Sequence, residues 1–141
     1  LLVFAATDSP TVNAAVVEDA SKLGALADAA DDAAAGDFSS MMQLKRGALT
    51  IAWSSGGASP ALSAHLRSRF EQTVGQEYET LLDWMAVLRP VIKHQLANIE
   101  ARRTLWRTIL DSDVLGLLRA GEQSAAREHL DALIATALEA R

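Results

Sequence analysis

The hydrophobic pattern of the chain changes near Ser59, and this change limits the folds that are open to it. Before Ser59, short apolar runs such as "LLVFAAT" and "ALTIAWS" are separated by Gly, Asp and Ser residues, as expected for strands. After Ser59, apolar residues recur at intervals of three and four, which is typical of helices that bury one face. The pattern predicts an α/β first part followed by an all-helical part.

The first part is expected to begin with a strand, a helix and a second strand. The run "LLVFAAT" predicts a strand buried on both faces, as in a parallel sheet. Asp8 or Ser9 then offers a helix cap, Pro10 suits the first helical position, and Gly24 marks the end of that helix. "ALADAA" is expected to be the second strand. The runs "MMQLKR" and "ALTIAWS", separated by Gly47, predict a hairpin or adjacent strands.

The second part is expected to contain several helices. One apolar stripe predicts a helix that follows Ser59, and a second predicts a helix that Pro90 kinks or breaks. A third helix is expected to end near "DSD", followed by a short one and a last one. The stripes consist of Leu62, Leu66, Phe70 and Val74 in the first helix, and of Tyr78, Leu81, Leu82, Met85, Leu88 and Ile92 in the second.

Composition excludes several classes of function. The net charge of −5 argues against nucleic acid as a partner, and no apolar run approaches the roughly 20 residues of a membrane span. With no cysteine, neither a disulfide nor a thiolate metal site is open to the chain. The widely separated His65, His94 and His129 form no pair at ligand spacing, so we predict no metal site.

The loop "SSGGASP" lies between a predicted strand and a predicted helix. Gly56 and Gly57 allow backbone amides to approach a ligand, and Ser54 and Ser55 add hydroxyl donors beside the positive end of the helix dipole. These features suit an anion. The same residues also suit a tight turn with no ligand, and the sequence alone leaves both interpretations open.

Four segments in order carry a resemblance to a known family: "LVFAATDSPTVN", "ADAADD", "GDF" and "RGALTIAWSSGGASPALSAHLRSRFE". They resemble the siroheme synthase family, the module that acts as precorrin-2 dehydrogenase and sirohydrochlorin ferrochelatase. The resemblance spans the whole chain and is strongest from Leu2 to Glu71. It implies the C-terminal part of a Rossmann-like NAD-binding domain over 1–40, a strand-and-helix dimerisation region over 41–74 and a helical domain over 75–141.

The resemblance also implies which residues carry the chemistry. It places the family's catalytic aspartate on Asp31, whereas the residues alone would favour Asp31 and Asp32 as turn caps. It assigns NAD to Ala6, Thr7 and Asp8, and it leads us to expect that a glycine-rich nucleotide loop precedes this chain in the intact protein. No metal ligand is assigned.

For the tetrapyrrole substrate, the resemblance implies that the loop of Ser54, Ser55, Gly56 and Gly57 holds a carboxylate arm. Arg46 is a candidate cationic partner, with a solvated turn residue as the equal alternative. Two positions depart from the family pattern, namely Asp28, where asparagine is usual, and Met41, where proline is usual.

The implied function is NAD-dependent oxidation of precorrin-2 to sirohydrochlorin, followed by Fe²⁺ insertion to give siroheme, by a cytoplasmic homodimer with no nucleic-acid or membrane partner. Two alternatives stay open at this point. The chain could act as a dehydrogenase without chelatase activity, or as a dimeric scaffold without catalysis.

Overall fold

The chain folds into two compact units in a computed structural model that describes residues 1–139. The first unit comprises Leu1–Leu44 and Ile51–Phe70, and the second comprises Lys45–Thr50 and the chain from Glu71 onward. Both parts of the mixed α/β prediction are present, since the strands lie before Ser59 and the long helices after it.

The first unit opens with a strand, a helix and a strand. These are β1 (Leu2–Ala5), α1 (Pro10–Lys22) and β2 (Leu26–Ala29). The two strands pair in parallel, with Leu2 opposite Leu26 and Ala5 opposite Ala29. Ser9 caps α1 by accepting a hydrogen bond from the Val12 amide, and Gly24 adopts a φ of +66° after the helix ends. The predicted order and caps are confirmed.

The two faces of this small sheet are unequally covered. Helix α1 covers one face, where Val3 and Val17 pack against a buried cluster of Ala20, Ala25 and Ala27. On the opposite face Phe4 is 60% exposed, and Leu2 and Leu26 are exposed as well. The prediction that the first strand is buried on both faces is therefore wrong for the described chain. A helix on one side of a two-stranded sheet covers only that side.

A hairpin and a helix follow. They are β3 (Met42–Arg46), β4 (Leu49–Trp53) and α2 (Pro60–Thr73), and the two strands form a two-stranded sheet. Within the first unit, the Trp53 ring meets the Phe70 ring edge-on with centroids 5.1 Å apart, and the Trp53 indole nitrogen donates to the Ser63 carbonyl at 3.3 Å. These contacts fix the end of β4 against α2.

The second unit contains the remaining helices, namely α3 (Glu77–Gln95), α4 (Ile99–Asp111), α5 (Val114–Arg119) and α6 (Gln123–Glu139). Pro90 lies inside α3 without ending it, so the predicted alternative of a break at Pro90 is wrong. The α4 helix ends at Asp111, as the "DSD" segment predicted. The core of this unit consists of Leu81, Ile92, Leu96, Leu105, Ile109, Val114, Ala126 and Leu130. Among residues 1–139, none of the helices combines the length and apolar character that a membrane span requires.

Candidate active site

A polar network lies just beyond the ends of the two parallel strands. Thr7 follows β1, Asp31 follows β2, and Asn13 reaches both of them from α1. The Asn13 side-chain nitrogen donates to Asp31 Oδ1 at 2.8 Å and to the Thr7 carbonyl at 3.1 Å. The carboxyl ends of parallel strands are the usual ligand side of an open α/β sheet, so the network stands where a site is expected.

Asn13 is the residue that the sequence reasoning missed. Its side chain is only 1% exposed, and its Oδ1 atom accepts from the Thr7 amide at 2.9 Å and from the Thr7 hydroxyl at 2.7 Å. The available signal was its spacing: Asn13 lies on the stripe that continues through Val17 and Ala20, where an apolar residue would be ordinary. An amide in a buried stripe needs partners, and here all its hydrogen-bonding positions have one.

The predicted catalytic residue, Asp31, combines an exposed side chain with one fixed contact. Asn13 binds Oδ1. The neighbouring Asp32 has a different role, because its Oδ1 atom accepts from the Ala34 amide at 3.0 Å in a local turn. A carboxylate that keeps a free oxygen at a strand end can accept a proton from a bound molecule.

A cavity of about 270 Å³ lies in the first unit at the same strand ends. Small side chains dominate its wall, with Ala6 from the chain after β1 and Ala29, Ala30 and Ala33 from β2 and the loop after it. Such a wall lets a flat group come close to the backbone. The full lining is Phe4, Ala6, Asp28, Ala29, Ala30, Ala33, Ser39, Ser40, Ser54 and Gly57.

Asp28, one of the two departures from the family pattern, contributes a buried carboxylate to this cavity. Only 6% of the residue is exposed, and its Oδ2 atom accepts from both the amide and the hydroxyl of Ser40, at 2.9 and 2.5 Å. The carboxylate therefore ties the chain before β3 to strand β2. Asparagine could offer the same acceptor oxygen without the negative charge.

The serine–glycine loop also reaches this region. Ser54 and Gly57 line the first cavity, and Ser55 lines a neighbouring cavity of about 460 Å³. Gly56 and Gly57 have positive φ values of 61° and 77°, which favour glycine at both positions.

Part of the loop's donor capacity is used within the loop itself. The Ser54 hydroxyl accepts from the Gly56 amide at 3.0 Å, and the Ser55 hydroxyl accepts from the Ser59 amide at 3.4 Å. The Gly56 amide, one of the two that suggested an anion site, is thus already bonded. Holding a carboxylate remains a prediction that depends on the other donors of this loop.

The remaining predicted site residues lie elsewhere. Asp8 is exposed after β1. Arg46 belongs to the second unit, where its Nε atom donates to the Val74 carbonyl and its Nη1 atom to the Lys45 carbonyl, both at 2.9 Å. Within the described range, no three His, Cys, Asp or Glu side chains are grouped so that they could hold a metal ion.

Two segments of the chain match known families. Residues 1–41 match the family described as "Putative NAD(P)-binding", and residues 77–134 match the family described as "Sirohaem synthase dimerisation region". A siroheme synthase of Chromobacterium violaceum is 34% identical over 134 residues, which is 95% of this chain. Across 95% of its length the chain is homologous to this siroheme synthase. The siroheme synthase of Gluconacetobacter diazotrophicus is 36% identical over 136 residues, or 96% of this chain.

The match to these siroheme synthases covers 28% and 29% of their own lengths, so this chain spans less than a third of each relative. Among solved structures, the precorrin-2 dehydrogenase SirC has a similar fold, with a TM-score of 0.55 over 92% of this chain and 80% of its own, at 17% identity. The dimerisation-region match begins at residue 77. It therefore lies C-terminal to 41–74, the segment to which the resemblance assigned dimerisation.

Proposed function

We propose that this chain takes part in the NAD-dependent oxidation of precorrin-2 to sirohydrochlorin, with Asp31 as the proton acceptor. The observation that carries the proposal is the Asp31 carboxylate, which Asn13 holds at 2.8 Å in a loop whose Ala30 and Ala33 line the cavity. The similarity to siroheme synthases and the match of residues 1–41 to an NAD(P)-binding family also support the proposal.

The reaction removes one hydride and one proton from the substrate. NAD⁺ would supply the hydride acceptor, and Ala6 and Thr7 at the end of β1, with Asp8 after them, are the residues proposed to hold it. The small Ala6 side chain in the cavity wall fits this role, since it leaves the strand end open to a planar ring. The proton passes to the carboxylate of Asp31, so that hydride and proton leave to different acceptors and the two-electron oxidation balances.

The substrate carries carboxylate arms, and we assign one of them to the loop that precedes α2. Ser54 and Gly57 support this assignment because both line the cavity, while Ser55 and Gly56 shape the loop. The α2 N-terminus adds the positive end of a helix dipole. The role of Arg46 as a cationic partner stays a prediction from the resemblance.

Insertion of Fe²⁺ into sirohydrochlorin, to give siroheme, is the second activity that we propose. The metal ion is a substrate here, and the two protons that it displaces from the pyrrole nitrogens would pass to Asp31 one after the other, each being released to solvent. The name of the relatives supports this step, since a siroheme synthase must complete it. A dehydrogenase that lacks chelatase activity is the alternative, and the rate of Fe²⁺ or Co²⁺ insertion into sirohydrochlorin, compared with the uncatalysed rate, separates the two.

We further propose that the protein acts as a homodimer in the cytoplasm. The match of residues 77–134 to a dimerisation region supports the dimer. The division into a partial NAD-binding domain over 1–40, a dimerisation region over 41–74 and a helical domain over 75–141 stays a prediction, and the match to a dimerisation region over 77–134 supports a role of the helical domain in the dimer. In the fold, the segment 41–74 is shared between the two compact units.

The proposal is tested by NADH formation from freshly prepared precorrin-2 in the full-length protein. Asp31→Asn keeps the shape of the side chain and an acceptor for Asn13, but removes the proton acceptor, so we expect a fall in kcat of at least about 100-fold. Asp32→Ala is the matched control, because it removes the same charge one residue away without touching Asn13. Equal activity in wild type and Asp31→Asn would overturn the role of Asp31, and an inactive wild type would support the non-catalytic scaffold.

A further inference from the structure

We infer that Asn13 is a positioning residue that aims the Asp31 carboxylate, so that Asp31 Oδ2 is the oxygen that receives the proton. The inference concerns a residue that neither the family resemblance nor the sequence pattern assigned. Its catalytic consequence rests on the proposed function, whereas the contact itself can be tested without any activity.

The orientation of the Asn13 amide follows from the chemistry of its neighbours. The Thr7 amide can only donate, so it must face Asn13 Oδ1, and the two lie 2.9 Å apart. The Thr7 carbonyl and the Asp31 carboxylate accept, so both must face Asn13 Nδ2, at 3.1 and 2.8 Å. A flipped amide would place oxygen against oxygen at two contacts and nitrogen against an N–H at a third.

Burial makes this orientation costly to change. Asn13 is 1% exposed, so water cannot replace a lost partner, and both of its amide hydrogens are already used. The side chain therefore acts as a rigid bracket between the chain after β1 and the loop after β2. The Thr7 hydroxyl strengthens the bracket, since it donates to Asn13 Oδ1 at 2.7 Å.

The bracket makes the two oxygens of Asp31 unequal. Oδ1 accepts the Asn13 hydrogen at 2.8 Å, which limits its approach to a further proton donor. Rotation of the carboxylate would exchange the two oxygens only if that hydrogen bond broke. Oδ2 is left as the oxygen that a bound molecule can reach, and its position is set by α1 through Asn13.

The first test measures the contact in the full-length protein labelled with ¹⁵N-asparagine. This chain has two asparagines, Asn13 and Asn98, so it contributes few side-chain signals. We expect Asp31→Ala to move one Asn13 side-chain proton upfield because its hydrogen bond is lost. Asp32→Ala should leave both protons in place. An Asn13 spectrum that is unchanged by Asp31→Ala would overturn the inference, whatever the enzyme does.

The second test measures the consequence for turnover. Asn13→Asp keeps the acceptor for the Thr7 amide but turns an oxygen toward Asp31, so we expect kcat to fall about 100-fold while KM for precorrin-2 stays within about twofold. Val17→Ala is the matched control, because it loosens the same helix in its apolar contact and does not touch Asp31. We expect Val17→Ala to lower the melting temperature and leave kcat within about twofold.

The outcomes separate the two proposals. If Asp31→Asn is inactive and Asn13→Asp turns over like wild type, the positioning role is wrong and the proposed function stands. If Val17→Ala loses as much kcat as Asn13→Asp, the effect reports helix stability, and the positioning role is again wrong. If wild type forms no NADH, the proposed function fails, and the spectrum of Asn13 still decides the contact.

Discussion

The two units of the chain bury different kinds of side chain. Of the buried apolar residues in the described chain, the first unit contributes Ala5, Ala20, Ala25, Ala27, Ala29 and Leu44, and the second contributes Leu81, Ile92, Leu96, Leu105, Ile109, Val114, Ala126 and Leu130. Because apolar stabilisation grows with the area removed from water, the second unit gains far more from its core. The first unit depends more on polar contacts.

Two of the polar contacts of the first unit belong to the candidate site, and a third is made to β2. Asp37 Oδ2 accepts from the Ala27 amide at 2.9 Å, Asp28 holds Ser40, and Asn13 joins Thr7 to Asp31. Each of them ties a loop to a strand or to the chain just after a strand by a hydrogen bond. The two units therefore differ in what stabilises them. The second unit has the larger apolar core, and the first unit holds its loops near the strands by hydrogen bonds.

The largest effect on stability should come from the core of the second unit. Leu130 is fully buried, so Leu130→Ala is expected to lower the free energy of unfolding of that unit by about 2–5 kcal/mol. Phe4→Ala is the matched change in the first unit. Because Phe4 is 60% exposed, we expect a loss below about 1 kcal/mol.

Urea unfolding followed by hydrogen exchange in each unit would measure both losses. Equal losses of unfolding free energy for Leu130→Ala and Phe4→Ala would contradict this difference between the units, because the exposed sheet face would then contribute as much stability as the helical core.

A smaller effect is expected from Gly36 in the first unit. A Cβ atom at this position would lie 2.9 Å from the Ala27 carbonyl oxygen and 3.1 Å from the Ala29 amide nitrogen, so Gly36→Ala must push the loop away from β2. We expect a loss of about 1–3 kcal/mol, measured as a lower melting temperature. Gly24→Ala is not an equivalent control because of its positive φ, whereas Ala35→Gly tests general loop flexibility. An unchanged melting temperature for Gly36→Ala would mean that the loop is free of β2.

The smallest effect concerns a charged contact in the second unit. Arg119 Nε donates to the buried Glu77 carboxylate at 3.0 Å. Burial by itself raises the pKa of Glu77, but the Arg119 hydrogen bond and charge, with the backbone amides of Glu77 and Gly75, outweigh it and hold that pKa below 4.5. A lowered pKa in the folded state means that the contact stabilises the protein above about pH 4.5, and that this stabilisation is lost as pH falls through the folded value.

We therefore expect Arg119→Ala to cost about 1–2 kcal/mol at neutral pH, discounted because the arginine side chain is 57% exposed. The difference between wild type and Arg119→Ala should shrink as the pH is lowered below 4.5. The difference in unfolding free energy can be measured at each pH from the fluorescence of Trp84 and Trp106, which pack on this core. A difference that grows in acid would contradict the assigned sign.

Local sequence signals predicted most of the elements. Ser9 and Pro10 placed the start of α1, Gly24 its end, and the alternation of short apolar runs placed the strands. The predicted break at Pro90 was wrong, because a proline can be accommodated inside a helix whose neighbouring turns are supported by packing. The burial of the first strand was overestimated. An apolar run shows that a strand can be buried, but it does not show whether another element covers each of its faces.

The site was less predictable, for physical reasons that particular residues show. Asp31 was predicted only through family resemblance, whereas Asn13 was missed because its contact with Asp31 depends on how two parallel strands are paired. In the serine–glycine loop, the sequence could not tell whether a hydroxyl would serve a ligand or its own loop, and Ser54 and Ser55 do the latter.

The most direct measurement compares binding and turnover in one sample of Asp31→Asn. Sirohydrochlorin binding, followed by its absorbance, tests whether the strand-end loops are intact, and NADH formation from precorrin-2 tests the proton acceptor. We predict binding within about twofold of wild type and a rate at least about 100-fold lower. A rate equal to that of wild type, or a rate that falls only in proportion to lost binding, would contradict the account that Asp31 carries the chemistry of the first unit.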